Sequence, residues 1–100
     1  MRPFVVQYRT RPDQAAENQR AIEAVFEELH RAALPGVRYR VLRGADDSFL
    51  HLVQQDGEGE TPLSALPAFR AFQAGVRARC VEPPRRTDVI VVGRYPDDGS

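Results

Sequence analysis

One hundred residues, 42% hydrophobic and 28% charged, are the make-up of a single globular domain. Fourteen basic residues, every one an arginine, are cancelled by fourteen acidic ones, which excludes the basic footprint of a general nucleic-acid binder. One cysteine, Cys80, cannot close an internal disulfide, and the N-terminus lacks the long apolar run of a signal peptide, so a cytoplasmic protein without membrane contact is expected.

Residues 4–9, rich in Phe, Val and Tyr, read as a strand that tolerates Pro3 at its start. Residues 13–34 carry the longest single period: Ile22, Val25, Phe26, Leu29 and Ala33 recur at helical spacing. Glu17, Arg20, Glu23, Glu27, Glu28 and Arg31 occupy the solvated side, with a Glu27–Arg31 pair expected at i, i+4. Asp13 is the expected N-cap, Thr10 heads an alternative capping box, and Leu34-Pro35-Gly36 stops the helix. Residues 37–41 alternate apolar and charged side chains, as a strand buried on one face does. A turn at 44–47 leads to a returning strand at 49–54. Opposing Arg43 to Ser48 puts Tyr39, Val41, Leu50 and Leu52 on one face, and Arg38, Arg40, Phe49, His51 and Val53 on the other.

After a polar loop at 55–61, Thr61-Pro62 caps a short turn through Leu66, and Pro67 opens a second amphipathic helix reaching about Cys80. Phe69, Phe72, Val76 and Cys80 form its stripe, Arg77 and Arg79 complement its C-terminal carbonyls, and Pro83-Pro84 forbid continuation. Phe26, Leu29, Phe69 and Phe72 are expected to be almost fully buried. The last strand is expected at 88–93 around Val89-Ile90-Val91-Val92, the domain at 1–95, and a polar tail at 96–100.

The order strand, helix, strand, strand, helix, strand predicts an α+β, ferredoxin-like βαββαβ fold. Right-handed crossovers put both helices on one face of a four-stranded antiparallel sheet, with the fourth strand beside the first. Phe4-Val5-Val6 and residues 89–92 are apolar at consecutive positions, which predicts burial on both faces. With no third helix to cover the open face, a second copy of the chain is the expected cover.

Val5-Val6-Gln7-Tyr8-Arg9 followed by Arg11-Pro12-Asp13 and the long helix, the central hairpin, and Pro67-Ala68-Phe69-Arg70-Ala71-Phe72 together resemble the dimeric α/β-barrel superfamily. Its members include the antibiotic-biosynthesis-monooxygenase-like proteins, and the resemblance covers nearly the whole chain. It implies pairing as a dimeric α/β barrel and a substrate cavity between sheet and helices in each subunit. The superfamily includes cofactor-free oxygenases, haem-degrading enzymes, isomerases and small proteins with no assigned activity. Some of the enzymes use an Asn, a Trp and a His in the cavity, and this chain has no Trp.

Asn18 falls on the buried stripe of the first helix, where an amide orients a ligand or, more mundanely, bonds backbone or water. Gln73 holds a comparable place in the second helix. His51, placed among arginines by the register above, would be kept neutral as a base; the plainer reading is a histidine at a subunit contact. Tyr8 and Tyr39 offer phenols to a cavity or simply pack with their hydroxyls at a sheet edge. The candidate catalytic residues are thus Asn18, Tyr8 and His51, and the candidate pocket lining is Phe26, Tyr39, Phe69, Phe72 and Gln73. Cys80 at a helix C-terminus reads as inert, because the negative end of the dipole raises a thiol pKa. His30, His51 and Cys80 have no metal-ligand spacing, and no metal or cofactor is expected. Arg85-Arg86 reads as solvated surface. An RNA-recognition motif and a glycine-rich phosphate loop are both missing, so no nucleic-acid partner is expected. Two readings stand: a cofactor-independent oxygenase-like or isomerase-like enzyme acting on an apolar small metabolite, and a non-catalytic dimeric binding or accessory protein.

Overall fold

The helical period of the first half of the chain becomes α1 (Ala15–Ala32), entered through a 3-10 turn at Pro12–Gln14, in a computed structural model that describes residues 3–57 and 61–96. Its buried side is Ala15, Asn18, Ile22 and Val25, so the stripe begins a turn earlier than expected. Phe26 and Leu29 are half-buried, which corrects the deep burial expected of them, and Ala33, placed on the apolar stripe, is exposed. Asp13 is not the N-cap: Gln14 holds that position without a side-chain bond, and Thr10 ends the first strand. Ala33 stops the helix by turning left-handed at φ 50° and donating its N–H to the Leu29 carbonyl. No Glu27–Arg31 ion pair forms among the described residues, and Arg20 binds Glu17 at 2.8 Å instead.

Strands β1 (Phe4–Thr10), β2 (Val37–Arg43), β3 (Ser48–Gln55) and β4 (Cys80–Asp88) form one antiparallel sheet in the order β2-β3-β1-β4. The fourth strand lies beside the first, as βαββαβ crossovers require. The second helix, α2 (Pro67–Val76), follows a 3-10 turn at Pro62–Ala65 in which Thr61 Oγ1 accepts the Leu63 N–H at 3.3 Å. Pro67 starts α2 as expected, but a 3-10 turn at Arg77–Arg79 ends it, and Cys80 already belongs to β4. Glu28 of α1 accepts the Ala68 N–H at 2.8 Å, where a carboxylate meets the positive end of α2 and fixes one helix against the other. The core lies between sheet and helices: Phe4, Tyr8, Phe49 and Val53 meet Ile22, Val25, Phe69, Phe72 and Val76.

Two further expectations, both about the sheet, are overturned. In the hairpin Arg43 opposes Phe49 and Val41 opposes His51, one residue away from the Arg43–Ser48 register. The cause is the turn: Gly44 donates its N–H to the Ser48 carbonyl at 2.8 Å, and Asp47 adopts φ 66° to close it. Tyr39, Val41, Phe49, His51 and Val53 therefore face the helices, while Arg38, Arg40, Leu42, Leu50 and Leu52 face outward. The last strand is Cys80–Asp88, so Pro83 and Pro84 lie inside it. They stand opposite Tyr8, where the ladder to β1 shifts register, and only an edge strand with a bulge tolerates two residues without an N–H. The run at 89–92 lies beyond the strand: Val89 bonds the Pro3 carbonyl at 3.2 Å, and Ile90 and Val92 are 83% and 93% exposed. The expected burial of this run on both faces is not met within one chain. Residues 58–60 of the polar loop and 97–100 of the polar tail lie outside the described residues.

Candidate functional site

Three strands, the first helix and the turn after the second each contribute one polar group to a single chain of hydrogen bonds. Inward-facing positions of β1, β3 and β2 supply Tyr8, His51 and Tyr39, the first turn of α1 supplies Asn18, and the 3-10 turn after α2 supplies Arg79. Arg79 Nε donates to Asn18 Oδ1 at 2.9 Å, and Asn18 Nδ2 donates to Tyr8 Oη at 2.9 Å. Tyr8 Oη lies 2.7 Å from His51 Nε2, and Tyr39 Oη lies 2.7 Å from His51 Nδ1.

The direction of these bonds follows from what each group can do. A guanidinium only donates, so it holds the Asn18 oxygen and turns the amide nitrogen to Tyr8. With its oxygen already accepting from Asn18, the buried Tyr8 hydroxyl spends its hydrogen on Nε2. His51 is then the Nδ1–H tautomer, donates to Tyr39, and leaves the half-buried Tyr39 with the one uncommitted hydroxyl hydrogen. The reverse order would strand a hydrogen on Tyr8 inside the core.

Burial sets the protonation states. It lowers the His51 pKa to about 4, so the imidazole is neutral at neutral pH. Burial also pushes both phenols well above their ordinary range; for Tyr8 the Asn18 hydrogen bond and the Arg79 charge act the other way. Aromatic rings wall the group. Tyr8 stacks on Phe49 with centroids 5.5 Å apart, Tyr39 on Phe26 at 4.8 Å, and His51 on Phe72 at 5.3 Å, while Phe69 meets Tyr39 edge-on at 6.4 Å.

The structure thus brings Asn18, Tyr8 and His51 together and surrounds them with Tyr39, Phe26, Phe69 and Phe72. Gln73 is exposed and takes no part. His51 is not among arginines at an open face: the one-residue hairpin shift moves it under the helices. These three groups are enclosed, with Asn18 at 0% and both Tyr8 and His51 at 4% exposure. Two clefts open on the outer sheet face. One of about 910 Å³ runs past Gln7, Leu42, Leu50 and Arg85, and one of about 670 Å³ lies between residues 89–96 and Arg38, Arg40 and Leu52.

Arg79 escaped the sequence reading because a cation at a helix end has a sufficient explanation in the dipole. The available signal was Gly75 one turn earlier, since a Cβ there would stand 2.8 Å from Arg79 Nη1. Cys80 donates to the Val76 carbonyl at 3.2 Å, and burial, more than any dipole, raises its pKa, against the pull of Arg79, Arg77 and Arg11. Among the described residues no group of three or more His, Cys, Asp or Glu is placed to hold a metal ion, and no helix is long and apolar enough to cross a membrane.

No family model matches the chain, and no curated protein does. Solved structures do. SnoaB from Streptomyces nogalater, a cofactor-independent oxygenase solved as a mutant, aligns with TM-score 0.69 and 20% identity over 96% of this chain and 97% of its own. A protein of Nitrosomonas europaea named after the antibiotic biosynthesis monooxygenases aligns with TM-score 0.73 and 17% identity over 93% of this chain and 100% of its own. One of the same designation from Bacteroides thetaiotaomicron aligns with TM-score 0.76 and 14% identity over 94% and 91%. The chain accordingly has the ferredoxin-like fold seen in these solved proteins.

Proposed function

We propose that this chain is a small cytoplasmic enzyme, oxygenase-like or isomerase-like, that acts without a bound cofactor on an apolar small metabolite and pairs as a homodimer over the outer face of its sheet. The observation that carries the reading is the Tyr8–His51–Tyr39 chain, with both bonds at 2.7 Å. A core selected for stability alone would hold hydrocarbon here, because each buried polar bond nets only about 1 kcal/mol while any group left unpaired is costly.

The free Tyr39 hydrogen is the reactive end. Its oxygen accepts from Nδ1–H, which strengthens it as a donor, and its raised pKa keeps it protonated at neutral pH. Held between Phe26 and Phe69, that hydroxyl supports the negative charge that develops on a substrate oxygen when an adjacent acidic C–H passes its proton to water, since both nitrogens of His51 are committed, the step shared by enolising isomerases and by carbanions that react with dioxygen. Asn18 and Tyr8 are positioning residues that hold the imidazole in the donating tautomer.

A panel of apolar phenols and cyclic ketones, followed by dioxygen uptake and by isomer formation, tests the reading. Tyr39→Phe is expected to lower kcat about 100-fold with the fold intact by circular dichroism. Turnover unchanged by that substitution, or none with any of the panel, rejects it. The enclosure of Asn18, Tyr8 and His51 favours the second reading, a non-catalytic binding or accessory dimer, and absent turnover with ligand still bound selects it.

A further inference from the structure

We infer that Arg79 is a positioning residue for the Tyr39 hydroxyl at the far end of the hydrogen-bond chain, and that its guanidinium decides the direction in which every proton of that chain points. The bearing on turnover rests on the reading above; the proton order is a property of the core and stands without it.

Four of the five members of the chain are two-way. An amide presents both a donor and an acceptor, a hydroxyl acts as either, and a neutral imidazole carries its hydrogen on one nitrogen or the other. A row of such groups is satisfied equally well by two opposite proton orders, which differ in the end that keeps a hydrogen to give. The guanidinium is the exception, because it donates and never accepts. Arg79 closes the row with its Nε–H on Asn18 Oδ1 at 2.9 Å. Were the Asn18 amide turned over, Nδ2 would meet Nε donor to donor, and at 0% exposure solvent cannot relieve the clash. The order is therefore imposed at Arg79 and passed through Asn18, Tyr8 and His51 to Tyr39, where it emerges as the free hydrogen.

The rest of the guanidinium suits a positioning role better than a stabilising one. Nη2 is buried with no hydrogen-bond partner, and among the described residues Arg79 forms no ion pair. A buried donor left over costs stability, so the side chain does not serve to strengthen the core. Its seat is nevertheless built: Gly75 leaves the room it folds into, Nη1 standing 2.8 Å from the place a Cβ would take, and the Phe72 ring lies 5.7 Å from its carbon. Seated from two sides, the group aims Nε at a single acceptor.

The test replaces the one-way donor by an acceptor at the same place. In glutamate and glutamine an oxygen stands as many bonds from the backbone as Nε does in arginine, and Arg11 and Arg77 keep the neighbourhood cationic enough to receive a carboxylate. Proton–nitrogen NMR spectra at neutral pH read the His51 tautomer, with the exposed His30 as the freely exchanging reference. The wild-type protein is expected to show the Nδ1–H form in at least about tenfold excess, since the opposite order leaves a buried group unpaired. Arg79→Glu should turn the chain over, Asn18 Nδ2 then donating to the carboxylate and Nε2–H becoming the major form. Arg79→Gln, able to donate or accept, should show both forms, and Arg79→Lys, again a pure donor, should restore Nδ1–H. Lost packing alone would not separate lysine from glutamate in this way. Circular dichroism checks that each variant is folded, and the glutamine and lysine variants carry the same contrast if the glutamate one is not. On the reading above, Arg79→Glu lowers kcat about 100-fold, as Tyr39→Phe does, and Arg79→Lys recovers most of the loss. A reversed tautomer with unchanged turnover upholds the proton order and rejects Tyr39 as the reactive end. A wild-type Nε2–H form, or one tautomer shared by the wild type, Arg79→Gln and Arg79→Glu, overturns the inference.

Discussion

His51 carries a measurable signature of its surroundings. Its folded pKa of about 4 lies below its ordinary value of 6.5, so between these values the unfolded chain binds more protons than the folded one. Stability is full above the unfolded value and falls as pH drops through that window, by roughly 3 kcal/mol at 1.36 kcal/mol per unit. Urea unfolding at several pH values checks this: the loss between about pH 7 and pH 5 should shrink in His51→Gln, and an equal slope in both proteins would mean that the imidazole is not held neutral in the core. Asn18, Tyr8 and His51 were all legible as candidates, because polar groups on apolar faces stand out in a sequence. The company His51 keeps was not legible, since a single-residue slip exchanges the two faces of a strand. Arg79 was hidden for a different reason: a long side chain can fold back along its own helix, and spacing does not encode the direction it takes.

Among the elements, both helices and the hairpin could be read from periodicity, whereas the last strand could not. Two prolines mark residues 80–88 as a break and a run of β-branched residues marks 89–92 as a strand, and both signals mislead. A bulge on an edge strand removes the objection to proline, and β propensity measures fit to a half-buried sheet surface that residues 89–92 do not have in one chain. The end of α1 offers a test of local backbone chemistry. Ala33 adopts φ 50°, a conformation in which its Cβ crowds the following carbonyl. Because the residue is exposed, Ala33→Gly relieves the backbone without opening a cavity, and the urea midpoint should rise by the equivalent of about 0.5–1 kcal/mol. A lower midpoint would show that α1 does not end on this turn.

For the whole molecule, the order of the elements was enough to give the sheet topology, because right-handed crossovers and short connections leave few alternatives. The covering of the outer face is a question of assembly. Val5, Leu42, Leu50 and Leu52 form its apolar centre and Arg38, Arg40 and Arg85 its margin, and Leu42 is 51% exposed. A two-fold pairing buries such a patch against itself. Light scattering at about micromolar concentration should give the mass of two chains, and Leu52→Asp should give monomers or aggregates; a folded wild-type monomer would reject the pairing. The prolines of β4 limit what else the sheet can join. With two successive positions unable to donate, and Glu82, Arg85, Arg86 and Asp88 charged along the same strand, the β4 margin is a poor template for another backbone, and the ladder can be lengthened only from β2. A sheet that can grow from one side alone closes after a single addition, so edge-to-edge association through β2 would stop at two chains and would not seed an open-ended fibril.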